Sequence, residues 1–439
     1  MKKCVKFLSV MLSVLLIVSL FSACSPNGKA IMTDTYSGFE NLALQSVTIK
    51  PDGKENGKKV TLFEIYASND KDKNYKFLYQ SDCIEGGHTC FVGDVSYRYL
   101  RIFVNQSSGK FKLYDIGVYN IKSKDASSLR VNSYLVANDI SDKTDFSMLD
   151  GLTDIIVFGT AKYDSKGNII FVDNDGNEIE EKVYSSKIDI LKKAIGNRDI
   201  NIICDIAMPY GDDNADIISM LSDENVDNTV KNIKTFVDKY DFDGFDMDYE
   251  FPNSKNEWKL FNAFLRKVDN ALGDKILSLA IAPWDLQFDD DVIKMIDRAE
   301  VMLYDMFTAH GYHSIFPVSV NGINKMLQGG FEPKQLDLGV PFYSRPTNKL
   351  AYWGNYNQYD GKLDKYTNLI YFNDFDHDGN PMTAPQYINS YQMICDKTAF
   401  AVDAKLGGIM IWHMTCDLPY DNELSLFRAI NETKALKQK

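Results

Sequence analysis

The stretch from Asp243 to Pro252 reads Asp-Gly-Phe-Asp-Met-Asp-Tyr-Glu-Phe-Pro, and no other segment restricts the chain so tightly. In a β-strand, side chains two apart share a face, so Asp246, Asp248 and Glu250 point one way and Phe245, Met247 and Tyr249 the other. Same-face positions lie roughly 6.6–7 Å apart, which puts the three carboxylates within mutual electrostatic reach. They cannot all ionise cheaply at low dielectric, so at least one pKa is expected to rise. A solvated acidic edge strand would carry the row without consequence. The apolar opposite face argues against that, because it calls for packing.

The chain has 439 residues, enough for two domains or one large α/β domain with a smaller module. A net charge of −13 repels nucleic acid and anionic surfaces and favours a neutral or cationic partner. Lys2, Lys3 and Lys6 precede an apolar run from Phe7 to Leu20, too short to span a bilayer and laid out as an export signal. Phe21-Ser22-Ala23-Cys24 resembles the end of a bacterial lipoprotein signal over residues 1–24, which implies cleavage before Cys24, lipidation of Cys24 as the mature N-terminus and anchorage at the cell surface. A plain secretory signal is the alternative. The other cysteines, Cys83, Cys90, Cys204, Cys395 and Cys416, are too sparse for a disulfide framework, although Cys83 and Cys90 could bridge a hairpin. No Cys/His cluster has metal-ligand spacing, and neither metal nor cofactor is expected.

Residues 25–32 are small and polar and read as a tether. From 33 to 122, strand-like runs separated by turn residues (60–67, 75–79, 97–104, 111–119) predict a small all-β sandwich. From 126 to 435 strands and helices alternate, which predicts an α/β fold, a (β/α)8 TIM barrel. Its strands are placed at 130–137, 154–159, 201–207, the acidic stretch, 276–282, 301–306, 336–342 and 408–412. Turn signals at 165–168 and 173–176 predict a hairpin inserted after the second strand, and Ser254 with Glu257 forms a capping-box pattern. Chemistry in such barrels sits at the C-terminal ends of strands, where Asp248, Glu250, Tyr304, Asp305, Tyr343 and Trp412 all fall.

With these motifs in place, the barrel resembles glycoside hydrolase family 18, the chitinase and endo-β-N-acetylglucosaminidase family. "DGFDMDYEFP" matches its Asp-x-x-Asp-x-Asp-x-Glu signature, "VMLYD" its strand-six Met-x-Tyr-Asp, "LGVPFYSR" its strand-seven motif and "GGIMIW" its eighth strand. The phrases "FEIYASND", "YRYLRIFV" and "LYDIGVY" of the sandwich resemble discoidin-like, galactose-binding-like modules. The family resemblance implies a glycosidase acting on β-1,4-linked N-acetylglucosamine glycans by a retaining, substrate-assisted mechanism. It assigns Glu250 as general acid and base, Asp248 to the substrate acetamide, Asp246 to tuning Asp248, and Tyr304 to the acetamide carbonyl. Asp305, Met302, Tyr343 and Arg345 become substrate contacts and Trp412 the floor under the cleaved sugar, while Asp243, of opposite parity, braces the strand. The partners implied are an N-acetylglucosamine-containing glycan and, through Cys24, a membrane; nucleic acid is excluded and a monomer expected.

Four departures qualify the match. The family's Ser-x-Gly-Gly on strand three reads Cys204-Asp205-Ile206-Ala207. Tyr249 replaces the Trp usual before the Glu, and Ser344 replaces a Gly. The segment 346–384 is shorter than the α+β insertion of deep-cleft chitinases, which implies a shallower cleft. Asp374-x-Asp376-x-Asp378-Gly379 has calcium-loop form, but Pro385 stands where the bidentate Glu belongs, so it reads as a turn. Cleavage in the chitobiose core of N-glycans, and a non-catalytic glycan-binding surface lipoprotein, are the alternative functions.

Overall fold

Eight parallel strands close on themselves, with β1 (Arg130–Val136), β2 (Asp154–Phe158), β3 (Asn201–Asp205), β4 (Gly244–Asp248), β5 (Ile276–Ile281), β6 (Arg298–Val301), β7 (Leu336–Pro341) and β8 (Gly408–Trp412) hydrogen-bonded in that order. The chain is seen as a computed structural model that describes residues 23–24, 30–31, 34–36, 43–51, 60–84, 87–107, 113–119, 123–209 and 214–438. The export signal up to residue 22, most of the tether and the side chain of Cys24 lie outside the described residues. Among the helices around the barrel, α1 (Glu181–Ile195), α2 (Ala215–Leu221), α3 (Val226–Lys239) and α4 (Lys255–Leu272) flank β3 and β4. They are followed by α5 (Asp290–Met295), α6 (Phe316–Gln328), α7 (Tyr391–Asp403) and α8 (Leu426–Gln438).

The two faces of β4 meet different surroundings, as its period of two requires. Phe245, Met247 and Tyr249 belong to the large core between strands and helices, whereas the barrel's inside holds a smaller apolar ring of Tyr134, Ile156, Ile203, Ala280, Met302 and Met410. Gly244 opens the strand because a Cβ there would sit 2.6 Å from the Ile276 carbonyl oxygen. Asp243 lies just below; its carboxylate accepts from the Ile202 N–H at 2.7 Å and ties β4 to β3.

The sixth strand differs from the expectation, running over 298–301 rather than 301–306. Asp305 has φ 57°, which an extended strand cannot accommodate. The strand's polar start, Arg-Ala-Glu, is concealed in the sequence because Arg298 pairs inside the barrel with Asp154 at 2.5 Å. The inserted hairpin after β2 is present, pairing Ala161–Tyr163 with Ile169–Phe171. After β7 the chain forms a three-stranded antiparallel sheet of Arg345–Pro346, Leu369–Phe375 and Pro381–Tyr387, a feature that no sequence period announced. The Asp-rich loop is the turn joining its last two strands, with Asp376 accepting backbone N–H groups of Asp378 (3.0 Å) and Asn380 (2.7 Å).

The N-terminal region contains two antiparallel sheets, of four and three strands. Cys83 lies on Lys76–Ile84 in the first and Cys90 on His88–Ser96 in the second, so the two strands are not hairpin partners. Cys90 is a free, buried thiol, and the bridge allowed by spacing is not formed. This region docks on the barrel through Asp396 of α7, which accepts from Tyr79 Oη (2.6 Å), His88 Nε2 (2.7 Å), the Phe91 N–H (2.6 Å) and Gln392 Nε2 (3.1 Å). His88 also lies 4.8 Å from the ring of Phe316 on α6. Asp82 takes the Asn368 N–H (2.7 Å) at the base of the mouth sheet.

Removing one partner from such a buried cluster leaves several donors unsatisfied, which costs more than the bonds themselves contributed. Asp396→Ala is therefore expected to destabilise the protein by roughly 3–5 kcal/mol and to expose the docking face. Urea unfolding and limited proteolysis check this; a change below about 1 kcal/mol with unaltered cleavage would contradict it.

Candidate active site

Asp246 and Asp248 point into the barrel from β4, and both are buried. Tyr134 of β1 donates its hydroxyl to Asp246 Oδ2 at 2.7 Å. Asp205, the last residue of β3, is paired in register with Asp246 and is fully buried on the inner face, while Cys204 points outward into the helix-facing core. The strand-three departure thus places a third buried carboxyl group beside the first two. Burial raises Asp246 to about 6 against hydrogen bonds from Ser278 and Tyr134. Burial, then Glu250 and Asp246, push Asp248 well above the carboxylate range. Burial, then Asp246 and Asp248, do the same to Asp205.

Glu250 lies beyond the strand's end and is exposed at the mouth. Its pKa is raised, by partial burial first and by Asp305 second. The loop that carries it is anchored through Glu257 of α4, which accepts from Tyr249 Oη (2.6 Å) and from the Asn253 N–H (3.1 Å). Half of the predicted capping box forms, the Glu257 N–H donating to Ser254 Oγ at 3.2 Å, while the Glu257 carboxylate takes the Asn253 N–H and the Ser254 hydroxyl. Tyr249 therefore supplies a hydroxyl tether where the family has Trp.

Tyr304 and Asp305 follow β6 in the loop. Tyr304 is part-buried, its ring 6.0 Å from Tyr343 and its hydroxyl 3.9 Å from Met410 Sδ. Arg345 Nε donates to Asp305 Oδ1 at 2.7 Å, its Nη2 pairs with Oδ2, and His313 Nδ1 lies 3.5 Å away. Burial would raise Asp305, but hydrogen bonds from Arg345 and His313, with the Arg345 charge, outweigh it and hold the carboxyl well below the usual range. Arg345 also sits over the Tyr343 ring at 5.2 Å. Trp412, at the end of β8, packs against Tyr134 (5.1 Å) and Phe158 (5.3 Å), and Met302 is buried beneath it in the inner apolar ring.

These side chains line one open cleft of about 540 Å³. Of the sequence-predicted residues, Asp248, Glu250, Met302, Tyr304, Asp305, Tyr343, Arg345 and Trp412 border it, Asp246 lies below it behind Tyr134, and Asp243 is remote at the strand's foot. Sequence reasoning missed Tyr134, Asp205, Trp284 and Trp353. Trp353, half-exposed on the chain after β7, and Trp284, after β5, carry a signal available in principle: Trp is used only four times in the chain. Tyr134 and Asp205 sit on strands whose inward parity could have been counted.

A closed (β/α)8 barrel with acidic and aromatic side chains gathered at the C-terminal mouth has the architecture of a glycosidase. The model of glycosyl hydrolases family 18 matches residues 130–417, and the chain belongs to that family. A probable chitinase 2 of Drosophila melanogaster is 25% identical over 43% of this chain and 50% of its own length. The chain thus spans about half the length of that curated relative. The solved GH18 chitinase ChiB from the chitin utilization locus of Flavobacterium johnsoniae is 20% identical, with TM-score 0.54, covering 70% of this chain and 94% of its own. A Cycas revoluta GH18 chitinase mutant in complex with (GlcNAc)4 is 17% identical, with TM-score 0.55, covering 69% and 99%.

An acid whose folded pKa is raised contributes stability below its unfolded pKa, near 4, and loses it as pH rises through the folded value. Asp205→Asn removes that loss. It is expected to stabilise the protein by on the order of 1–3 kcal/mol at pH 8 and by little at pH 4. Denaturant midpoints at the two pH values decide this; an equal gain at both would remove the titration argument.

Proposed function

We propose that the protein is a retaining glycoside hydrolase of β-1,4-linked N-acetylglucosamine glycans, of the chitin-oligosaccharide type, working by substrate assistance. The observation that carries this reading is the pairing of buried, proton-favouring Asp248 with mouth-exposed Glu250 in one cleft, beside Tyr304 and Trp412. Its raised pKa suits Glu250 to protonate the glycosidic oxygen as the bond to the anomeric carbon breaks. The substrate's own acetamide oxygen attacks that carbon, with Asp248 accepting the acetamide N–H, and an oxazolinium ion forms. Water then adds at the same carbon as that carbon's bond to the acetamide oxygen breaks and Glu250 takes the water's proton, so the acetamide is restored and configuration is retained. Asp246, held by Tyr134, shares the proton economy of Asp248, and Trp412 offers a ring face to the apolar face of the sugar. The (GlcNAc)4 bound by the Cycas revoluta relative supports the substrate class.

The basic, apolar, Cys24-terminated leader supports export and lipid anchorage at the cell surface, and the three strand phrases support a discoidin-like module ahead of the barrel.

Glu250→Gln is expected to lower kcat/KM on chitin oligosaccharides by roughly 10²–10⁴-fold. Proton NMR of the first product should show the β-anomer. Incubation beside a high-mannose glycopeptide separates chitin-type from N-glycan cleavage; cleavage of neither by the wild-type protein would sink the hydrolase reading. Trp353→Ala is expected to raise KM several-fold with kcat little changed, because a platform remote from the reacting carbon binds ground and transition states alike.

A further inference from the structure

All four tryptophans of the chain stand at the barrel mouth. Three line the cleft; the fourth, Trp258, lines a second cavity of about 340 Å³ that shares Phe251, Ala280 and Trp284 with it. This cavity lies between the loop that carries Glu250 and the loop after β5, closed below by Trp258, Phe261 and Phe288. Phe251 and Trp284 meet edge-to-face at 5.1 Å between the two spaces. The walls are mainly apolar, with exposed Asn253 and Asp285 also among the lining residues. Trp258 itself is 6% exposed, and its indole N–H has no hydrogen-bond partner within the protein. Buried indole N–H groups normally find an acceptor.

An apolar chamber with one isolated donor suits a small group that pairs an alkyl end with a carbonyl oxygen. Its position says which part of a substrate would bring one. A general acid must lie within hydrogen-bond reach of the oxygen it protonates, so the sugar leaving on that oxygen rests beside Glu250 and hence beside Phe251, at the cavity's entrance. We propose that the second cavity receives the N-acyl group of the leaving-side sugar, with Trp258 as donor to its carbonyl oxygen and Phe251 and Trp284 as the sill. This deepens the hydrolase reading and rests on it: the enzyme would recognise acetylation on both sides of the bond it breaks, through the reacting acetamide at Asp248 on one side and the indole on the other.

The test compares two trisaccharides identical except for the last sugar, N-acetylglucosamine in one and glucose in the other, and follows release of that sugar so that the bond broken defines the register. The wild-type protein is expected to release N-acetylglucosamine with a kcat/KM about ten-fold higher, the worth of one hydrogen bond and a buried methyl group. Trp258→Phe, which removes the N–H, and Leu286→Trp, which fills the cavity, should each bring the ratio within roughly three-fold of one. Thermal melts establish that both variants fold. A wild-type ratio near one, or a ratio unmoved by both folded variants, overturns the proposal. Cleavage of neither trisaccharide would instead overturn the hydrolase reading. In that event the Glu250→Gln protein, titrated with N-acetylglucosamine and with glucose by tryptophan fluorescence, decides the cavity alone: a preference for the acetylated sugar lost in Trp258→Phe sustains it, and equal affinities reject it.

Discussion

The barrel is organised around an electrostatic imbalance in its interior. Asp154, Asp205, Asp246, Asp248, Glu300 and Asp337 are all buried there. At the lower end Arg130 meets Asp337 at 2.7 Å and Arg298 meets Asp154 at 2.5 Å, with Asn132 donating to Glu300 and Asp337. No arginine or lysine reaches the upper carboxyl groups among the described ion pairs; hydrogen bonds from neutral groups, Tyr134 and Ser278 to Asp246 and the Asp248 backbone to Asp205, stand in their place. Carboxyl groups that cannot all ionise retain protons near neutral pH, and a site that must hold a proton until a bond breaks is built from that condition.

Such a cluster is useful only if its geometry does not relax. Each neighbouring segment contributes a constraint: Glu257 ties down the loop after Glu250, Asp243 locks the strand to β3, and the Asp305–Arg345 pair fixes the loop after β6 against the start of the mouth sheet. The N-terminal sheets brace the same side through Asp396 and Asp82. Docked on α6, α7 and the base of the mouth sheet, they support the cleft wall that carries Trp353.

The barrel was legible in the sequence wherever a strand faced apolar surroundings on both sides. It became illegible where the interior was polar: Arg298, Ala299 and Glu300 look like a helix end until their partners across the barrel are known. The acidic strand was readable by parity alone, because Asp246 and Asp248 differ so sharply from Phe245 and Met247. Asp205 carries no such contrast, since a single Asp beside Cys204 leaves its direction to be counted along the strand. The mouth sheet escaped because its first strand has two residues, its last carries Pro381 and Pro385, and the strand between them is half-exposed, and Trp353 escaped with it. The Asp-rich loop shows the reverse case: its missing bidentate ligand was visible in the sequence, and the carboxylates instead hold a hairpin turn.

Glu250 and Asp305, which share the open cleft with Asp248, are driven in opposite directions. Partial burial and then the charge of Asp305 raise the Glu250 pKa; Asp305 has Arg345 and His313 and stays ionised. Environments that push neighbouring acids apart suit them to different roles: in the proposed mechanism Glu250 carries the proton, and Asp305 is an anion whose charge adds to the rise in the Glu250 pKa. Arg345 thus bears on both: it holds Asp305 ionised, and Asp305 in turn adds to the rise at Glu250, so a contact that reads as a structural lock also shapes the charge around the acid.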